Sequence, residues 1–165
     1  MDPNRHRLLS IYLNDHLAGA TGGTELAKRL AGSANEWSVG ELGRLADEIA
    51  EDRESLLAIM AALDVPVRQY KVIAAWVAEK AARGKLNGHV LTRSPLSTLV
   101  ELEAMRLGVE GKAAGWRTLL ARSAVDDRLD PGQLDSLIRR ASKQSETLER
   151  LRVRAAVEAC GGQAD

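Results

Sequence analysis

From Leu42 to Leu63 the apolar residues return every three or four positions: Leu42, Leu45, Ala46, Ile49, Leu56, Ile59, Met60 and Leu63. That period lays them along one side of an α-helix and conflicts with the two-residue alternation of a half-buried strand. The start of the helix is also marked. Ser38 and Glu41 have the spacing of a capping box, in which hydroxyl and carboxylate each take up an unpaired backbone N–H. Trp37 and Leu42 flank that box as a hydrophobic staple, which would set the angle of approach.

The rest of the chain repeats the pattern. Residues 5–31 carry a stripe of Leu9, Tyr12, Leu13, His16, Leu17 and Ala20, with Gly19, Gly22 and Gly23 expected to bend or split the helix. Small residues there would let a neighbouring helix come close. Pro66 ends the second helix and is expected to open a third, whose apolar face is Tyr70, Ile73, Ala74, Val77 and Ala81. Residues 83–94 lack periodicity and form the longest connection; His89 within them reads as a surface loop residue. Ser94–Pro95 opens a fourth helix with Leu96, Leu99, Val100, Glu103 and Leu107 on or near its inner face. Gly108 and Gly111 are expected to interrupt that helix before it continues through Trp116, Leu119 and Leu120. Asp130, Pro131 and Gln133 start the last helix, which runs to about Ala159 with Leu134, Leu137, Ile138, Ala141, Leu148 and Leu151 apolar.

The expected fold is therefore all-α: an up-down bundle of four core helices, with an additional C-terminal helix packed beside or across them. Residues 1–160 read as one domain and 161–165 as a flexible tail. With no Phe and 3% aromatic residues, Leu, Ala, Val and Ile must fill the interior. Several functions are disfavoured at once. Twenty-three bases balance 23 acids, so no global field draws the chain to nucleic acid or an anionic membrane. The final helix is locally basic, but Glu146, Glu149 and Glu158 interleave with its arginines. No stretch approaches a membrane span, and MDPNRHRLLSIYLNDH is polar where a secretory signal needs apolar residues. A single Cys160 suits a reducing compartment, so a cytoplasmic location is the expectation.

The informative residues are the polar ones at stripe positions. His16 stands in the first stripe, Asp52 and Arg53 interrupt the second between Ile49 and Leu56, and Glu103 falls between Val100 and Leu107. Folding consecutive helices as hairpins brings these to one mid-bundle layer. Buried charges must be paired, neutralised, hydrated or metal-bound. One outcome is an internal salt-bridge network, with Arg53 between Asp52 and Glu103 and His16 donating to a carboxylate. The other is a metal site with His16, Asp52 and Glu103 as ligands, which the nearby Arg53 would oppose. The acidic run of Glu48, Glu51, Asp52 and Glu54 otherwise reads as solvated surface.

Helix lengths of 20–25 residues and inward carboxylates over residues 5–122 resemble the ferritin-like helical bundles. The resemblance implies the scaffold and, as an alternative function, a degenerate metal-binding protein or oxidoreductase holding Fe or another divalent metal. No histidine completes the family's Glu-x-x-His motif, since Leu13 and Leu86 stand three positions before His16 and His89. The leading expectation is a binding or interaction protein without a cofactor. Its partner would be a second copy or another protein, docked through the C-terminal helix at Leu148 and Leu151.

Overall fold

The computed structural model describes residues 3–36, 38–68 and 95–161. They form four helices and, among the described residues, no strand: α1 (Pro3–Gly32), α2 (Val39–Ala62), α3 (Pro95–Ser123) and α4 (Pro131–Cys160). The third expected helix, the 83–94 connection with His89, Trp37 and the 162–165 tail lie outside the described residues.

Helices that are neighbours around the bundle run antiparallel. Along α1 and α3, Arg29 pairs with Glu101 and Tyr12 with Thr118. Along α2 and α4, Glu41 pairs with Arg150 and Glu51 with Arg140. Along α3 and α4, Glu103 pairs with Arg152 and Lys112 with Gln144. The helices thus sit at the corners of a square in the order α1, α2, α4, α3. The C-terminal helix, expected as an addition, is one of the corners. Leu134, Leu137, Ala141, Gln144, Leu148, Leu151 and Ala155 of α4 are all buried. Leu148 and Leu151 are core residues rather than an interface, because α4 turns that stripe inward.

Two further expectations change. The buried face of α3 is Leu99, Leu102, Met105, Val109, Ala113, Trp116 and Leu119, whereas Leu96, Val100 and Leu107 are exposed, Leu107 by 75%. Apolar residues surround this helix, so two stripes compete, and packing against both α1 and α4 selects the one through Met105 and Val109. Gly108 and Gly111 do not interrupt α3, nor do Gly19 and Gly23 break α1. A glycine costs about 1 kcal/mol in a helix, which the flanking buried leucines outweigh.

The helix ends are set locally. The capping box is not formed: Ser38 Oγ donates to Asn35 Oδ1 at 2.7 Å, and Glu41 pairs with Arg150 instead. Asp130 does cap α4, accepting from Gly132 N at 2.8 Å with Pro131 in the first turn. At the end of α2, Val65 N donates to Met60 O and Asp64 N to Ala61 O. This double closure requires a left-handed residue, and Asp64 supplies it with φ 55°. The chain then runs non-helically through Pro66, which opens no helix at residues 65–68. Buried Asn14 holds it there, donating to Pro66 O at 3.1 Å and accepting from Arg68 N at 2.8 Å. Between α3 and α4, Asp126 accepts from Arg122 and Arg128, which hold its carboxyl far below the usual carboxylate range.

The apolar core divides into two clusters. On α2 the division falls between Ile49 and Leu56, on α3 between Ala113 and Trp116, and on α4 between Leu137 and Ala141. On α1 it falls between Leu17 and Ala27. Each division has a physical cause, and together they form the candidate site.

Candidate functional site: a cavity beside a buried ion cluster

On α2 and α4 polar side chains stand in the break between the two clusters, and Lys112 of α3 reaches the same level. Asp52 is 1% exposed. Its carboxylate is ion-paired with Lys112 from α3 and Arg140 from α4. Gln144 closes the cluster: its amide nitrogen donates to Asp52 Oδ2 at 3.1 Å and Glu48 Oε2 at 3.0 Å. Its carbonyl oxygen accepts from Lys112 Nζ at 2.6 Å. Arg140 extends the cluster to solvent through Glu51 Oε2 at 3.0 Å. One buried anion thus serves two cations and an amide, which is how a charge tolerates removal from water. Burial pushes the Lys112 ammonium below its ordinary pKa, and Asp52 acts in the opposite sense.

On α1 the break is made by missing side chains. Gly19 and Gly23 are four residues apart and share a face. On α3, Gly108, Gly111 and Gly115 recur at spacings of three and four. The α1–α3 register, in which Tyr12 meets Thr118, places Gly19 opposite Gly111 and Gly23 opposite Gly108. Helices with facing glycines can close together, but these do not. A Cβ built on Gly19, Gly23, Gly108 or Gly111 would meet no atom within 4 Å. The space left between α1, α2 and α3 is a cavity of about 400 Å³.

Leu13, Ile49, Leu56, Met105 and Val109 give the cavity an apolar wall, and Lys112, Asp52, Arg53 and His16 supply its polar groups. His16 is half-buried and packs edge-on against Tyr12, with ring centroids 4.5 Å apart. Burial lowers its pKa below 6.5, partly offset by Asp15, so the ring is chiefly neutral at pH 7. Gly115 gives the ring room, since a Cβ there would stand 3.0 Å from His16 Cε1. Arg53 is held by Thr21 Oγ1 at 3.2 Å and Glu54 Oε1 at 2.7 Å.

The expected polar layer therefore exists, with different members. His16, Asp52 and Arg53 share the cavity wall. The expected network of Arg53, Asp52, Glu103 and His16 is replaced by Lys112, Arg140 and Gln144 around Asp52. Glu103 is not in the layer: its side chain is 49% exposed and lies 3.8 Å from Arg152. The α3 stripe that buries Met105 turns position 103 outward, so the ligand set of His16, Asp52 and Glu103 is not assembled. Asp52, moreover, is committed to two cations. Among the described residues no three His, Cys, Asp or Glu side chains are grouped to hold a metal ion.

Gln144 carried a readable signal, because it occupies a stripe position between Ala141 and Leu148. The facing glycines carried another, visible only once α1 and α3 were known to be neighbours. No helix among the described residues is long and apolar enough to cross a membrane. No family model, curated protein or solved structure matches the chain.

Proposed function

We propose that this bundle is a binding protein for a small, largely apolar molecule, housed in the cavity between α1, α2 and α3. The observation that carries the reading is the cavity itself: about 400 Å³ of space, walled by aliphatic side chains and by glycines that face one another without touching. Ligand pockets have this size and character, an apolar lining with a few placed polar groups. Two of those groups, His16 and Lys112, have pKa values displaced by burial, a common property of ligand sites.

A direct test is titration with cyclohexane, followed by amide chemical shifts of the ¹⁵N-labelled protein. Saturable shifts confined to residues around Gly19, Val109 and Gly111 support the reading. Replacing Gly111 with Leu, which fills the space from one wall, should abolish them. Absence of saturable shifts in the unmodified protein would remove the proposal.

A second reading, contact with another protein or a second copy through α4, is favoured by Val153 and Val157, exposed four residues apart on that helix. Light scattering during size-exclusion chromatography tests the second copy, and a monomer at every concentration would count against it.

A further inference from the structure

The glycine wall of the cavity is exposed at Gly19, Gly108 and Gly111 and buried at Gly115. What covers Gly115 is the ring of His16: a Cβ there would stand 3.0 Å from Cε1, 3.1 Å from Nδ1 and 3.4 Å from Nε2. The imidazole itself, rather than the stem of the side chain, thus lies along the wall. Histidine is also the side chain whose charge ordinarily changes between pH 5 and 8. The groups around it do little to compensate a charged ring. On α1, Asp15 lines the cavity and favours the imidazolium, but it is exposed. Tyr12 meets the ring edge-on, and its hydroxyl donates to Thr118 Oγ1 at 3.1 Å. On α2, Asp52 is already taken up by Lys112, Arg140 and Gln144, and Arg53 is a cation. On α3 the lining group is Lys112, a second cation.

Resting on the cavity-binding reading above, we propose that His16 couples occupancy of the cavity to pH: an apolar occupant is held while the imidazole is neutral and released when the ring takes up a proton. A neutral ring tolerates contact with hydrocarbon. An imidazolium in the same place needs water or an anion, and an apolar occupant displaces the first without bringing the second. Arg53 and Lys112 on the same lining add like charge, which leaves the exposed Asp15 as the compensating group. Burial against the wall already disfavours the charged ring, and an occupant extends that effect. The coupling is reciprocal: whatever factor protonation costs in affinity, the occupant lowers the ring's proton affinity by the same factor. Because the ring is only half-buried, that factor is modest.

The test titrates cyclohexane into the ¹⁵N-labelled intact protein at pH 7.5 and at pH 5.0, with the amide spectrum confirming the same folded state at both. The assigned ring signals of His16 are then followed between those limits with and without cyclohexane. The dissociation constant is expected to rise about three- to fivefold on acidification, and the midpoint of the His16 signals to fall by about 0.5–0.7 pH unit when the cavity is saturated. His16→Gln should bind cyclohexane equally at both pH values, whatever its affinity at the higher one. A dissociation constant independent of pH in the unmodified protein, or a His16 midpoint unmoved or raised by cyclohexane, overturns the coupling while leaving cavity binding intact. The same acid weakening in His16→Gln also overturns it, because another group would then be responsible. Should that variant unfold, the midpoint still decides, since it is read in the unmodified protein. If cyclohexane does not bind at pH 7.5, both proposals fall together.

Discussion

His16 occupies the space that a side chain at position 115 would need: a Cβ on Gly115 would lie 3.0 Å from its Cε1 and 3.1 Å from its Nδ1. Four other cavity glycines meet nothing at that distance. The same substitution should therefore have opposite effects on one helix. Gly111→Ala should stabilise the protein by about 0.5–1 kcal/mol through helix propensity. Gly115→Ala should forfeit that gain or destabilise, and His16→Ala in the same chain should restore it. Urea unfolding of the three variants checks this, and equal gains at both glycines would contradict it.

Asp52 should be the most sensitive polar residue in the core. Truncating it to Ala leaves Lys112 and Arg140 facing each other without their anion, a loss of about 3–5 kcal/mol. Glu51→Ala, on the 66% exposed partner of Arg140, should cost under about 1 kcal/mol. Paired Asp52→Leu and Lys112→Met changes should recover part of the loss, since an apolar pair often replaces a buried ion pair without penalty. Denaturant midpoints of single and double variants measure the coupling directly.

His16 makes stability depend on pH with a definite sign. Burial lowers its pKa in the folded protein below the ordinary 6.5, so on acidification the unfolded chain takes up this proton first. Folding stability should then fall as pH drops through 6.5 and below, to the folded-state value. His16→Gln should remove this component of the slope between pH 7 and 5. A variant as pH-sensitive as the parent in that range would show that the imidazole is not the group responsible.

How far the sequence reveals this arrangement depends on the element. The stripe of α2 and the Asp-Pro start of α4 are readable because helical period and capping act over a few residues. Position 52 is likewise readable as a polar residue at an apolar position. Its partners are not, because they depend on which helices touch. Pairing helices in chain order sends Asp52 toward Arg53 and Glu103, whereas α4 beside α2 brings Arg140 and Gln144. Position 103 fails for a different reason. Leu96, Val100 and Leu107 compete with Leu99, Leu102 and Met105 for the inner face of α3, and sequence period alone cannot choose between two apolar stripes. The Ser38–Glu41 spacing predicts a cap that Asn35 and Arg150 pre-empt.

Asp64 occupies a left-handed conformation that side chains other than glycine adopt at a cost of about 1–2 kcal/mol. Its carboxylate is 86% exposed and 3.3 Å from Arg128, a pairing worth little in water. Asp64→Gly should therefore raise stability by about 0.5–1 kcal/mol, the residual after glycine's extra freedom in the unfolded chain. Thermal or urea unfolding checks the sign, and a destabilised variant would mean that the Arg128 pairing outweighs backbone strain.

Short turns join α1 to α2 and α3 to α4, while the end of α2 and the start of α3 lie at opposite ends of the bundle. The described helices are thus two hairpins laid against each other, and the cavity is a flaw in the seam. Seams of this kind yield to hydrostatic pressure, because parting them lets water into volume that the folded state leaves unused. High-pressure NMR should show the Gly19–Gly111 level loosening before either hairpin does, and Gly111→Leu should make the joint markedly harder to open. Whatever molecule fills that void would then act as mortar as well as cargo.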